Sequence, residues 1–104
     1  MKHLYIICSD DNLVKVGFAK NPATRIKQLQ TGHPHKLRIA YQVEVPDDKA
    51  KLIESMIHHH LKDYKTHGEW FAVALEIAKQ EMDFALIRYS NDFNSYHKSI
   101  GMIY

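Results

Sequence analysis

The chain has a single cysteine, no long apolar run, no internal repeat and no large excess of either charge. A lone thiol cannot close an internal disulfide. Cys8, in an apolar stretch, therefore points to a reducing, cytoplasmic setting. Apolar runs of a few residues leave no candidate membrane span. Met1-Lys2-His3 followed by LYIIC is interrupted by Ser9-Asp10-Asp11, too soon for a secretory leader. Fourteen Lys and Arg against twelve Asp and Glu give a formal charge of +2. That excess permits a nucleic-acid partner but does not argue for one, although eight histidines add conditional positive charge near phosphate. Linkers and low-complexity segments are absent too, and 104 residues suffice for one domain with one core.

What is present is organised around Leu13 to Gly32, LVKVGFAKNPATRIKQLQTG. Val14, Val16 and Phe18 alternate with Leu13, Lys15 and Gly17, the period of a half-buried strand. Asn21-Pro22 supplies a helix N-cap and a first helical residue whose missing N–H is no loss there. Ala23, Ile26 and Leu29 make an apolar stripe, and Gly32 before Pro34 predicts the stop. Leu4 to Cys8 predicts a preceding strand, joined through Ser9 to Asn12 as a hairpin. Lys36 to Val45 carries Leu37, Ile39, Tyr41 and Val43 at period two, a third strand. Asp47 then caps a helix to about Lys65, with Ala50, Ile53, Met56, Ile57, His60, Leu61 and Tyr64 as its buried stripe. Glu69-Trp70-Phe71 is a short extended piece, with Trp70 and Phe71 closing the core beneath a third helix from Ala74 to Tyr89. The order ββαβαα predicts an α+β fold: a small three-stranded, mostly antiparallel sheet flanked by helices. Residues 1–89 form the domain, and 90–104 a C-terminal tail that docks on the core, pairs with another copy or frays.

Five residues could carry chemistry: Tyr5, Lys15, Arg25, Glu54 and Glu69. A three-residue turn from Ser9 to Asp11 pairs Cys8 with Asn12 and sets Tyr5 opposite Lys15; a two-residue turn puts Lys15 on the other face. Beside an ammonium a phenol ionises more readily and becomes a usable base, whereas the plain reading is a strand tyrosine with a solvated lysine. Arg25 lies about forty degrees from Leu29 on its helix, so its guanidinium can lean toward Tyr5 and bind phosphate, or merely cover the core edge with its stem. Glu54 flanks the second helix's stripe with His58 one turn on, a ligand for a hard divalent ion or an exposed partner of His58 or Lys51. His58-His59-His60 does not make a zinc centre, because consecutive helical residues diverge by about a hundred degrees. Glu69, between Gly68 and Trp70, sits beside the helix that bears Glu54.

In order and spacing, LYI, KVG ten residues on from Tyr5, ATRIKQLQTGHP, Glu54-x-x-x-His58 and GEWF resemble the GIY-YIG endonuclease superfamily, in its compact phage- and bacteria-borne branch. The match covers about residues 3 to 73. It implies hydrolysis of DNA phosphodiester bonds with one Mg²⁺ or Mn²⁺. It also implies Tyr5 as general base, Lys15 as its helper, Arg25 on the scissile phosphate and Glu54 on the metal. Gly17 matches a structural glycine, and His58 and Glu69 are auxiliary candidates. Leu29 stands where many members carry histidine or tyrosine, and Phe18 where some place a polar helper.

The main expectation is therefore a metal-dependent endonuclease acting on DNA. Its alternative is a catalytically inactive DNA-binding or regulatory module on the same scaffold. A third reading is an interaction protein using the aromatic tail Phe93 to Tyr104. Without a separate reading domain, specificity falls to the loop Gly32 to Lys36, the tail, a homodimer partner or a larger complex.

Overall fold

Asn12 adopts φ of +69°, a left-handed conformation that asparagine tolerates better than most residues, and this seats the first turn. The turn spans Asp10 to Asn12, one step later than expected: Ser9 N–H donates to the Leu13 carbonyl at 2.9 Å and Asn12 N–H to the Ser9 carbonyl at 3.0 Å. In the computed structural model, which describes residues 1–89, this turn joins β1 (Lys2–Ser9) to β2 (Val14–Ala19). Then follow α1 (Pro22–Gln30), β3 (Leu37–Val45), α2 (Asp47–His60), a 3-10 turn (Lys62–Tyr64), β4 (Trp70–Phe71) and α3 (Leu75–Tyr89). The tail readings, docking of 90–104 and an interface from Phe93 to Tyr104, lie outside the described residues.

The α+β class stands, but the sheet has four strands rather than three, in the order β3-β1-β2-β4 with every neighbour antiparallel. The extra strand is the pair Trp70–Phe71, which was expected only as an extended piece. Successive strand residues point to opposite faces, so Phe71 enters the layer beneath α2 and α3 while Trp70 faces the other way. The expectation that both close the core beneath the third helix fails for Trp70 on that account.

The sheet is apolar on both faces. On one, Leu4, Ile6, Val14 and Val16 pack with Ile53, Ile57, Phe71 and Met82. On the other, Tyr5, Ile7, Leu37 and Trp70 pack with Ile26, Leu29 and Ile39. A single alternating stretch, Leu37 to Val45, serves both faces by a bulge: Ile7 pairs with Ile39 and Ile6 with Tyr41, leaving Ala40 as an extra residue. Leu37 and Ile39 thereby meet α1, and Tyr41 and Val43 meet the α2/α3 layer.

In α2 the expected stripe is buried at Ala50, Ile53, Ile57 and Leu61, but His60 and Tyr64 are exposed. The α-helix ends at His60 rather than near Lys65, and the tighter 3-10 turn swings Tyr64 outward. Asp47 is its first helical residue; Pro46 occupies the cap. Among the described residues no helix is long and apolar enough to cross a membrane.

Candidate functional site

Tyr5 stands opposite Gly17, not opposite Lys15, because the later turn moves the hairpin register by two. A shift of two preserves the face, so Lys15, now opposite Ile7, remains on the same side of the sheet as Tyr5. The phenol lies across Gly17, where a Cβ would fall 2.6 Å from its oxygen. A side chain at position 17 would therefore displace the ring, and this is the glycine's role in the structure.

The helix start delivers Arg25. Asn21 Oδ1 accepts from Thr24 N–H at 3.3 Å and Pro22 opens the helix, placing Arg25 in its first turn. The guanidinium is exposed, and its Nη1 donates to Gln28 Oε1 at 3.3 Å. Burial pushes the Tyr5 phenol above the usual tyrosine value; hydrogen bonding and charge from Arg25 oppose that rise without cancelling it. Glu69 and Glu54 add to the rise. The expectation of a phenol made more acidic by Lys15 is thus overturned, since desolvation dominates. Tyr5 is held as the neutral phenol, a hydrogen-bond donor.

Lys15 is committed elsewhere. Only 7% of the residue is exposed, and its Nζ donates to Glu69 Oε1 at 2.7 Å. It also lies 5.7 Å from the centroid of the Trp70 ring. The hydrogen bond from Lys15 holds the Glu69 carboxyl below the usual glutamate range, against some desolvation.

Because β4 pairs with β2 only at Val14 and Lys15, the β2 edge is left open at Val16. His58 covers it: its Nε2 donates to the Val16 carbonyl at 2.7 Å, so the proton sits on Nε2. The same ring meets Phe71 edge-on at 5.2 Å. Glu54, one turn earlier on α2, is half-buried, and desolvation pushes its carboxyl above the usual range. The His58 charge, with Lys51 and Lys15, opposes this, and Glu69 reinforces it.

Five segments thus bring Tyr5, Lys15, Gly17, Arg25, Glu54, His58 and Glu69 to one neighbourhood at the β1–β2 side of the sheet. His60 is not among them; it contacts Glu81 Oε1 on α3 at 3.0 Å. Among the described residues no group of three or more His, Cys, Asp or Glu could hold a metal ion. A cleft of about 420 Å³ is lined by Cys8, Val14, Arg38, Val73 and Leu75 among others, and by none of these site residues. The loop Gly32 to Lys36 was expected to bear on specificity, but two of its residues were not singled out: His33, whose ring packs on Trp70 at 5.2 Å, and His35, which reaches Asp10 at 2.9 Å. The pair His33 and His35 around Pro34 was the available signal.

Comparison with known proteins gives the family. The T5orf172 domain matches residues 2–86, and the chain belongs to that family. Protein 315L of Invertebrate iridescent virus 6, named as a KilA-N domain-containing protein, is 37% identical over 71 residues. The aligned stretch is 66% of this chain and 30% of the viral protein, so the chain spans under a third of that relative. No solved structure matches. The resemblance to the GIY-YIG superfamily is thereby corrected: the span that carried its motifs belongs to a T5orf172 domain. The site residues stand on their geometry alone.

Proposed function

We propose, on the premise that this chain is a T5orf172 domain, that it is a DNA-binding module which seats a backbone phosphate against Arg25 and Tyr5. The observation that carries this reading is the pairing of an exposed guanidinium with a buried, neutral phenol. Arg25 offers a planar fork of donors to two phosphate oxygens, and Tyr5 donates one further hydrogen bond. Kinship with a T5orf172 domain and with a KilA-N domain-containing viral protein supports DNA as the partner.

A second reading, divalent-metal-dependent hydrolysis of the phosphodiester, is favoured by Glu54. Desolvation of its carboxylate outweighs the opposing effects of His58, Lys51 and Lys15, and the Lys15 ammonium is bound to Glu69. That environment fits a hard divalent ion, which takes one or two carboxylates and completes its shell with water and phosphate oxygens. Glu54 would hold Mg²⁺ or Mn²⁺, and the ion would supply positive charge to the phosphate. Arg25 and Tyr5 bind and orient the phosphate in either case.

The test is fluorescence anisotropy on labelled DNA, followed by incubation with supercoiled plasmid with and without Mn²⁺. Binding that weakens about tenfold in Arg25→Ala, as expected for a charge-assisted pair, and falls with salt, supports the module. Nicking that requires metal and is lost in Glu54→Gln supports hydrolysis. DNA affinity that is unchanged in Arg25→Ala removes the phosphate seat.

A further inference from the structure

The loop Thr31 to Lys36, between α1 and β3, has no regular structure, yet Thr31, His33, His35 and Lys36 are each held by hydrogen bonds. Gly32 at φ +78° turns the chain out of α1, a conformation that costs glycine little. The Gln30 side chain then bridges the loop: its Nε2 donates to the His35 carbonyl at 2.9 Å, and its Oε1 accepts from Leu37 N–H at 2.9 Å. His35 reaches across to the first turn, with Nδ1 2.9 Å from Asp10 Oδ1 and Nε2 3.5 Å from Asp11 Oδ2. The backbone of His35 in turn fixes His33, whose Nδ1 accepts from the His35 N–H with the two nitrogens 3.2 Å apart.

What this bracing holds is one ring. His33 packs on Trp70 with centroids 5.2 Å apart and planes inclined by 42°. Trp70 is 8% exposed and presents little of itself to solvent, whereas His33 is partly exposed. Trp70 also lies beside Lys15 and pairs with it across β2 and β4, on the sheet face that carries Tyr5. The face therefore continues from the phosphate seat through Lys15 and Trp70 to a fixed imidazole. Successive bases of a single strand stack on such rings, because every base has a π face.

We propose that His33, backed by Trp70, is a stacking platform for an unpaired nucleobase next to the phosphate held by Arg25 and Tyr5, and that the site takes single-stranded or locally opened DNA. The inference rests on the phosphate reading above and names the substrate class for that site. A base in duplex is already stacked on its neighbours and has no free face to offer, so the platform discriminates by strand state rather than by sequence. Holding the ring beforehand lowers the ordering cost of binding.

Trp70 is the only tryptophan in the chain and reports directly on its neighbour. The full chain is titrated with a short oligothymidylate, a strand of the same length made of abasic sites, and a duplex. Anisotropy and tryptophan emission are followed for the wild type, His33→Ala, His33→Phe and Arg25→Ala. The expected result is about a tenfold loss for His33→Ala on oligothymidylate, little change on the abasic strand, and recovery with His33→Phe. Wild-type binding to oligothymidylate should change tryptophan emission more than binding to the abasic strand or the duplex. Equal losses for His33→Ala on normal and abasic strands, or none on either, overturn the platform. Duplex bound more tightly than single strand overturns the substrate class. Arg25→Ala that binds all three ligands normally overturns the phosphate seat instead, and a base-selective loss in His33→Ala tells the two failures apart.

Discussion

The Tyr5 ring lies over Gly17 so closely that a Cβ there would stand 2.6 Å from the phenol oxygen and 2.8 Å from Cζ. Both contacts are shorter than real Cβ atoms make, and the ring is walled in by a buried layer with little room to yield. Gly17→Ala is therefore expected to cost about 1–3 kcal/mol, the usual range for overpacking. It should also weaken DNA binding, because the displaced phenol leaves Arg25. Urea unfolding and anisotropy check the two effects. An alanine that leaves both unchanged would show that the ring can move freely.

Lys15 and Glu69 form an asymmetric pair: the lysine side chain is 8% exposed and the glutamate 49%. Glu69→Gln strands a buried ammonium and is expected to cost about 1–3 kcal/mol. Lys15→Met leaves a carboxylate that water can solvate, and the new side chain fills the space of the lysine stem, so its cost should be smaller. The folded Glu69 carboxyl lies below its usual value, so its contribution is complete above the unfolded value of about 4.3. It is lost as pH falls from there through the lower folded value. Thermal unfolding of both variants between pH 3 and 7, on the order of these carboxyl values, tests this. A larger cost for Lys15→Met contradicts the asymmetry.

Glu54 has the opposite sign. Burial raises its carboxyl, so the folded state prefers the protonated form. Its contribution to stability is full below the unfolded value and is lost as pH rises through the folded one. Glu54→Gln removes that penalty and is expected to stabilise the protein at neutral pH by about 0.5–2 kcal/mol, as relief of a functional-site cost commonly does. The gain should vanish below the carboxyl range. Saturating Mg²⁺, if Glu54 holds it, should stabilise the wild type and not the variant. A Glu54→Gln protein less stable than wild type at neutral pH would show the carboxylate to be a structural partner.

Much of this arrangement was legible in residue types and spacing. Asn21-Pro22 placed α1, and period two placed β1 and β2. Arg25 on the margin of its stripe is in fact beside Tyr5. The hairpin register was not legible, because it turned on which of Asp11 and Asn12 takes a positive φ. Nor was the Tyr5 ionisation: sequence places an ammonium nearby, but only packing shows that Glu69 takes it and that burial wins. His58 was found by its spacing from Glu54, but its partner, a backbone carbonyl left open by a two-residue strand, has no sequence signature.

The bulge at Ala40 shows how a correct pattern can still mislead. Leu37, Ile39, Tyr41 and Val43 read as one face, yet the extra residue sends the first two to α1 and the others toward α2 and α3. Tyr41 also donates to Asp83 Oδ1 on α3 at 2.9 Å, which fixes its side of the sheet. Deleting Ala40 joins Ile39 directly to Tyr41, and plain alternation then keeps Leu37 and Ile39 toward α1 and Tyr41 and Val43 toward α2 and α3, with Ile39 still opposite Ile7 and Tyr41 still opposite Ile6. The deletion removes the bulge without moving a core side chain to the wrong face. The variant is therefore expected to keep cooperative unfolding in urea with a loss of about 0.5–3 kcal/mol, the usual range for a single change, and Ala40→Gly, which keeps the bulge, should remain within about 1 kcal/mol of wild type. A deletion variant that no longer unfolds cooperatively would show that the sheet needs the local twist that the bulge adds, beyond the switch of faces.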